Sequence, residues 1–240
     1  MKRSIDVKSV YGQLQRTGYE YIKILSKEFE NNYNVLVIDD KDGLCSIPFA
    51  LKGAKVTLYE PDERFIYGGI VNEFIVQPIY KRKNFNKVCQ NIEIVIKNFY
   101  EERIEKKYEF VYCYRSIHQN HNKHISMKRK IQKILSSVKE GGYVYILYYL
   151  VTEENNMNNF CKNQYLRNGE MTNYFDKKHW EIISNIEDNR LTQHNPHPGH
   201  NMNHYHRVGR IFAKKKKLRV KYKYKYNIYF NWYKLLYIMN

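Results

Sequence analysis

The chain has 240 residues, 43% of them hydrophobic, and a formal net charge of +17. That length accommodates one ordinary domain with a full core plus appendages, and no apolar run approaches the roughly 20 residues a membrane-spanning helix requires. The start, MKRSIDVKSVYGQ, has basic residues with no apolar core behind them, so it does not read as a secretion signal and a cytoplasmic protein is expected. Cys45, Cys89, Cys113 and Cys161 are widely spaced and form no CxxC pair, which leaves reduced core thiols rather than a zinc knuckle or a redox motif. The charge is concentrated at the end: from Lys214 onward the chain has nine Lys and Arg and no acid.

Taken in order, Tyr11 to Phe29 spaces Leu14, Tyr21, Ile22, Ile24, Leu25 and Phe29 as an amphipathic helix would, and residues 1–30 are read as a helical segment before the domain. Val35 to Ile38 suits a strand buried on both faces, followed by a polar loop, a helix over Cys45 to Leu51, and a second strand over Lys55 to Tyr59. A strand–helix–strand unit makes a right-handed crossover in a parallel sheet, and the ends of its strands form the crevice where open α/β sheets bind ligands. Glu60 ends the second strand, where its carboxylate can accept from both hydroxyls of a ribose, so a nucleoside-containing ligand is expected. A second helix is predicted over Pro61 to Ile70, a third strand over Ile92 to Ile96, and a fourth over Phe110 to Tyr114. A helix over Ile125 to Val138 then stops at Gly141-Gly142, before a fifth strand over Tyr143 to Leu150. The last two strands are read over Trp180 to Glu187 and Arg207 to Lys214.

VLVIDDKDGL followed by AKVTLYEPDE resembles the first motif and acidic second-strand end of class I S-adenosylmethionine-dependent methyltransferases. Gly141-Gly142 ahead of the fifth strand resembles their "LKPGG" segment. The stretches Tyr165 to Met171, Tyr174-Phe175 and His179 to Ile183 resemble the "GEL…YF…W-I" pattern of the tellurite-resistance type, and the strand ending in Ala213-Lys214-Lys215 is similar to their closing strand. The resemblance covers roughly residues 10 to 216. It implies an α/β, doubly wound, seven-stranded, mostly parallel sheet with an antiparallel last strand, over residues 31–217. It also implies S-adenosylmethionine as cofactor and a small-molecule or oxyanion nucleophile as acceptor. Two departures stand in the first motif: Asp39 and Lys41 lie where the first two glycines would be, with only Gly43 kept, and Val37 replaces an acid.

On this resemblance Glu60 holds the ribose, Asp39 or Asp40 pairs with the ammonium group, and Gly43 lies in the loop facing the methionine moiety. Asn98 takes the place of the acid that reads the adenine amino group, and Phe99 lies near the ring. The loop after the fourth strand makes Tyr114, Arg115 and His118 candidate acceptor contacts. His118, His121 and His124 recur every third residue, and an exposed polar loop is the simpler reading of them than a metal site. His194, His197, His200, His204 and His206 gather on the segment between the last two strands. Substrate contact or proton transfer, foremost by His204 and His206, is weighed there against metal binding and an uncommitted loop; no metal is assigned.

Two other readings stay open. The missing glycines favour a non-catalytic methyltransferase fold serving as a binding or scaffold protein. The basic, Tyr-rich tail over residues 218–240 would suit RNA or DNA as partner, although no Asn-Pro-Pro-Tyr-like motif follows the fourth strand and a dispensable tail is favoured. Oligomeric state is not legible.

Overall fold

A computed structural model describes residues 22–23, 25, 27–29, 32–71, 73–152, 164–194, 196 and 203–217. Residues 218–240 and most of the expected first helix lie outside the described residues, although Ile22 and Leu25 are helical and buried against the domain.

β1 (Asn34–Ile38), α1 (Ser46–Ala50) and β2 (Lys55–Tyr59) form the expected crossover unit. Next come α2 (Glu63–Tyr67), a small hairpin of β3 (Gly69–Val71) and β4 (Phe74–Val76), α3 (Phe85–Val88) and β5 (Ile92–Val95). β6 (Tyr108–Tyr114), α4 (Met127–Ser136) and β7 (Val138–Leu150) complete the parallel part. β8 (Tyr165–Leu166), β9 (Trp180–Glu187), β10 (Thr192–His194) and β11 (His204–Lys215) close the chain.

The sheet runs β5-β2-β1-β6-β7-β11-β9, with every neighbour parallel as far as β7 and β11 antiparallel to both its partners. This is the seven-stranded, mostly parallel arrangement with an antiparallel last strand that the sequence predicts. Two short strands extend it, β8 alongside the end of β7 and β10 along the start of β11.

Strand alternation divides the core into two layers, because successive side chains leave opposite faces. Val35 and Val37 pack with Phe49, Leu58, Phe110 and Tyr112 on the α1 face. Leu36 and Ile38 pack with Val111, Cys113, Ile131 and Ile134 on the α4 face. A strand buried on both sides is written as a continuous apolar run, which is why β1 and β6 were legible. The carboxyl ends of β1, β2, β5 and β6 open on one edge of the sheet, and the candidate site is built there.

Several boundaries differ from the expectation. The helix over Pro61 to Ile70 is only Glu63–Tyr67, with Gly69 and Ile70 in β3. The last strand starts at His204 rather than Arg207, so that His204 and His206 belong to β11 and not to a loop. Gly141 and Gly142 do not end the helix before β7; α4 stops at Ser136 and both glycines lie inside β7. The register with β6 jumps between Tyr108 and Phe110, and Gly141 has φ +78°. A Cβ on Gly142 would lie 2.8 Å from the Glu109 carbonyl oxygen, so the glycines form a bulge pressed against the neighbouring backbone.

Candidate functional site

The loop from Asp39 to Cys45 carries three residues in the left-handed region: Asp39 at φ +56°, Lys41 at +65° and Gly43 at +84°. They alternate at the three positions where the resembled motif has glycine. Glycine enters this region freely, whereas other residues pay about 1–2 kcal/mol for the crowding of Cβ against the backbone. Two things hold the strained loop. The Asp39 N–H donates to the Tyr59 carbonyl at 2.8 Å, tying it to β2. The Asp40 carboxylate accepts from the Cys45 and Ser46 N–H groups, each at 2.7 Å, and from the Ser46 hydroxyl, so it closes the loop onto the start of α1. Burial pushes the Asp40 carboxyl up to about 6 despite those donors.

Glu60 is fully buried at the end of β2. Its carboxylate accepts from the Lys41 N–H at 2.9 Å and the Asp62 N–H at 3.1 Å. The Lys41 ammonium lies 3.8 Å from Glu60 Oε1 and 4.8 Å from the centre of the Phe65 ring. Burial raises the Glu60 carboxyl to about 7; the charge of Asp39 adds to this, and Lys41 and the two N–H groups oppose it. Asp40 and Glu60 are therefore shifted the same way, above their ordinary 3.8 and 4.5. A carboxyl whose folded pKa is raised contributes stability that is complete below its unfolded pKa and lost as pH rises through the folded one. Wild type should thus lose stability relative to Glu60→Gln between about pH 4.5 and about pH 7. Urea unfolding of both proteins across that range checks this, and a pH-independent difference would refute it.

Asp39 lies across from Glu60 and is almost wholly buried. Its Oδ2 accepts from the Ser116 hydroxyl at 2.7 Å, and His121 Nε2 approaches the same atom at 3.3 Å. Ser116 in turn accepts from the Tyr100 hydroxyl at 2.9 Å, so an ordered chain of donors runs from the loop after β5 through the loop after β6 to the end of β1. Asp39 Oδ1 is buried with no hydrogen-bond partner among the described residues.

Beyond β6 the elements bring together residues distant in sequence. The His118 ring stacks on Tyr149 with centroids 3.6 Å apart, and His206 stacks on the opposite face at 3.8 Å. Burial raises Tyr149 to about 12, against the lowering effect of Arg115. The Arg115 guanidinium lies 4.9 Å over the Tyr114 ring, and Arg115 itself has φ +67°. A cavity of about 30 Å³ opens beside Arg115, Tyr149, Asp188 and Arg210. Wholly buried Lys130 donates to the Ile117 carbonyl and anchors this loop from beneath; burial lowers its pKa to about 8. A separate cavity of about 340 Å³ is bounded by Tyr100, Glu101, His124 and Arg129.

Neither a family model nor a curated protein matches the sequence. Solved structures do match the fold. TehB from Haemophilus influenzae superposes with a TM-score of 0.58 at 15% identity, over 82% of this chain and 62% of that one. Magnesium protoporphyrin IX methyltransferase from Synechocystis PCC 6803 gives 0.54 at 12% identity, over 86% and 91%. 1,6-Didemethyltoxoflavin-N1-methyltransferase from Burkholderia thailandensis gives 0.51 at 12% identity, over 84% and 79%. The chain has the class I methyltransferase fold. At these identities the likeness is one of architecture, and this chain spans 62% of the length of TehB.

Within that methyltransferase fold the predicted site residues separate into groups. Asp39 and Glu60 lie together at the ends of β1 and β2, while Gly43 is pressed against Ile47 and Ile79 and the Asp40 carboxylate turns inward to its own helix. Asn98 Oδ1 accepts from the Tyr100 N–H at 3.1 Å, and Phe99 is fully buried against Tyr59 and Tyr100. Tyr114, Arg115, His118 and His206 meet around Tyr149. The three evenly spaced histidines take separate partners: His118 stacks on Tyr149, His121 faces Asp39, and His124 Nε2 lies 3.0 Å from Glu101. His204 pairs with His194 in the β10–β11 ladder, while His197 and His200 lie outside the described residues. Sequence reading passed over Ser116, Tyr149, Lys130 and the Lys41 side chain. For Lys130 the one signal available was its place on the apolar face of α4, three residues after Met127 and four before Ile134.

Proposed function

We propose that the chain is an S-adenosylmethionine-dependent methyltransferase acting on a small nucleophile, of the tellurite-resistance type that its 165–183 segment resembles. The observation that carries this reading is the loop backbone at Asp39, Lys41 and Gly43. Two non-glycine residues are held in a glycine conformation at a cost of about 1–2 kcal/mol each, and strain of this kind persists where a binding surface needs the backbone in one shape. The residues present also fit the cofactor. Glu60 offers a carboxylate to ribose hydroxyls, and the unpartnered Asp39 Oδ1 suits an ammonium group. The cavity of about 340 Å³ between the loop after β5 and the start of α4 is of a size to receive a base.

When bound, S-adenosylmethionine supplies an electrophilic methyl group, so the protein's part is mainly alignment and exclusion of water. Arg115 and the His118–Tyr149–His206 stack would orient the acceptor, with the guanidinium favouring an anionic or electron-rich one. His121 Nε2, a third exposed and facing Asp39, is placed to hold a proton lost by the acceptor.

One observation favours a second reading, a non-catalytic binding protein: Lys41 lies over Glu60 where the ribose belongs. A nucleic-acid acceptor rests on the tail, which lies outside the described residues. Isothermal titration of the full chain with S-adenosylmethionine and S-adenosylhomocysteine separates the first two. Micromolar binding is expected, and absence of binding to both would leave the scaffold reading.

A further inference from the structure

The Lys41 side chain has no place in the methyl-transfer reading, yet it is held from three sides. Its backbone is strained at φ +65°, its own N–H is bound to Glu60 Oε2, and its ammonium sits between Glu60 Oε1 and the face of Phe65. Only 13% of the side chain is exposed, little for a residue on a loop. Lysine normally lays its stem on the surface and keeps its charge in water. Here it is folded inward over a buried carboxylate, which leaves neither group free to meet a ligand.

We infer that Lys41 is a gate on the cofactor site: its side chain occupies the ribose seat at Glu60, and a nucleoside enters only when Lys41 swings out. The inference rests on the cofactor reading above. Glu60 cannot hold the ammonium and a pair of ribose hydroxyls in the same orientation. The Asp39 carboxylate facing this seat repels an approaching carboxylate but leaves the ammonium in place. Ligand and gate therefore compete, and the apparent affinity is the intrinsic affinity reduced by the fraction of molecules with the gate open. A gate closed nine-tenths of the time lowers affinity about tenfold.

Two measurements on the full chain test this. S-adenosylhomocysteine is titrated into wild type and Lys41→Gly, with thermal melts to show that both are folded; glycine suits the backbone conformation at this position, so the variant is expected to melt no lower. Lys41→Gly should bind about tenfold tighter. Reductive methylation of wild-type lysines, read by peptide mass mapping, should find Lys41 protected in the free protein and modified once S-adenosylhomocysteine saturates it. Equal affinities, or a Lys41 that stays protected in the complex, would overturn the gate while leaving the cofactor reading intact. Binding to neither protein would overturn the cofactor reading, and the gate with it.

Discussion

Glu60→Ala is expected to weaken S-adenosylhomocysteine binding by about 100-fold when made in the Lys41→Gly background, and by only about tenfold in wild type. Above about pH 7, where Glu60 is ionised, hydrogen bonds to this charged acceptor contribute about 1.5–3 kcal/mol, and a ribose offers two hydroxyls, so losing the carboxylate costs about 3 kcal/mol, or two orders of magnitude. In wild type the same substitution also releases Lys41, which the ligand otherwise has to displace, and part of the loss is recovered. The two effects meet on one carboxylate and should be strongly non-additive. Calorimetric titration of wild type, both single variants and the double variant completes the cycle. Equal losses in both backgrounds would mean that Lys41 and the ligand do not compete. Unchanged affinity in both would remove Glu60 from the ribose.

Asp40→Ala should destabilise the domain by about 3 kcal/mol and lower its melting temperature by roughly 6–12 °C. The carboxylate is 5% exposed and accepts from two N–H groups and a hydroxyl, all of which alanine would leave without a partner. Each buried orphan costs about 1–3 kcal/mol, and the sum is offset by removing a carboxylate that burial already disfavours. Ser46→Ala removes one of these bonds and should cost only about 1 kcal/mol. Because Asp40 fastens the strained loop to α1, Asp40→Ala should also abolish cofactor binding at temperatures where it is still folded. Thermal and urea unfolding, followed by titration at low temperature, test both points. An Asp40→Ala protein that melts with wild type would show that the loop is held by other means.

The contrast between Glu60 and Asp40 shows what each level of description can reach. Both were candidate ligand residues in the sequence, since both are acids at strand ends facing the crevice of a parallel sheet. Glu60 accepts from the Lys41 and Asp62 N–H groups and has the Lys41 ammonium, 3.8 Å away, as a partner that a ligand can displace. The Asp40 carboxylate instead accepts from the Cys45 and Ser46 N–H groups and the Ser46 hydroxyl, and only the folded loop reveals that this short path is taken.

The sequence by itself determined the order of elements, the parallel part of the sheet and the placement of Glu60 just after β2, while the antiparallel last strand was read from the family resemblance. Strands buried on both faces must be continuous apolar runs, and crossovers between parallel strands have one hand, so few topologies remain. Only the tertiary structure decided which way side chains turn once the elements meet. The left-handed conformation of Asp39 and Lys41, the seat of the Lys41 ammonium on Glu60, and the relay from Tyr100 through Ser116 to Asp39 all depend on pairs from different strands. So does the stack of His118, Tyr149 and His206, whose members come from the loop after β6, from β7 and from β11. Local patterns encode burial and period, whereas these contacts are set by strand register and by the competition of neighbouring charges for one buried carboxylate.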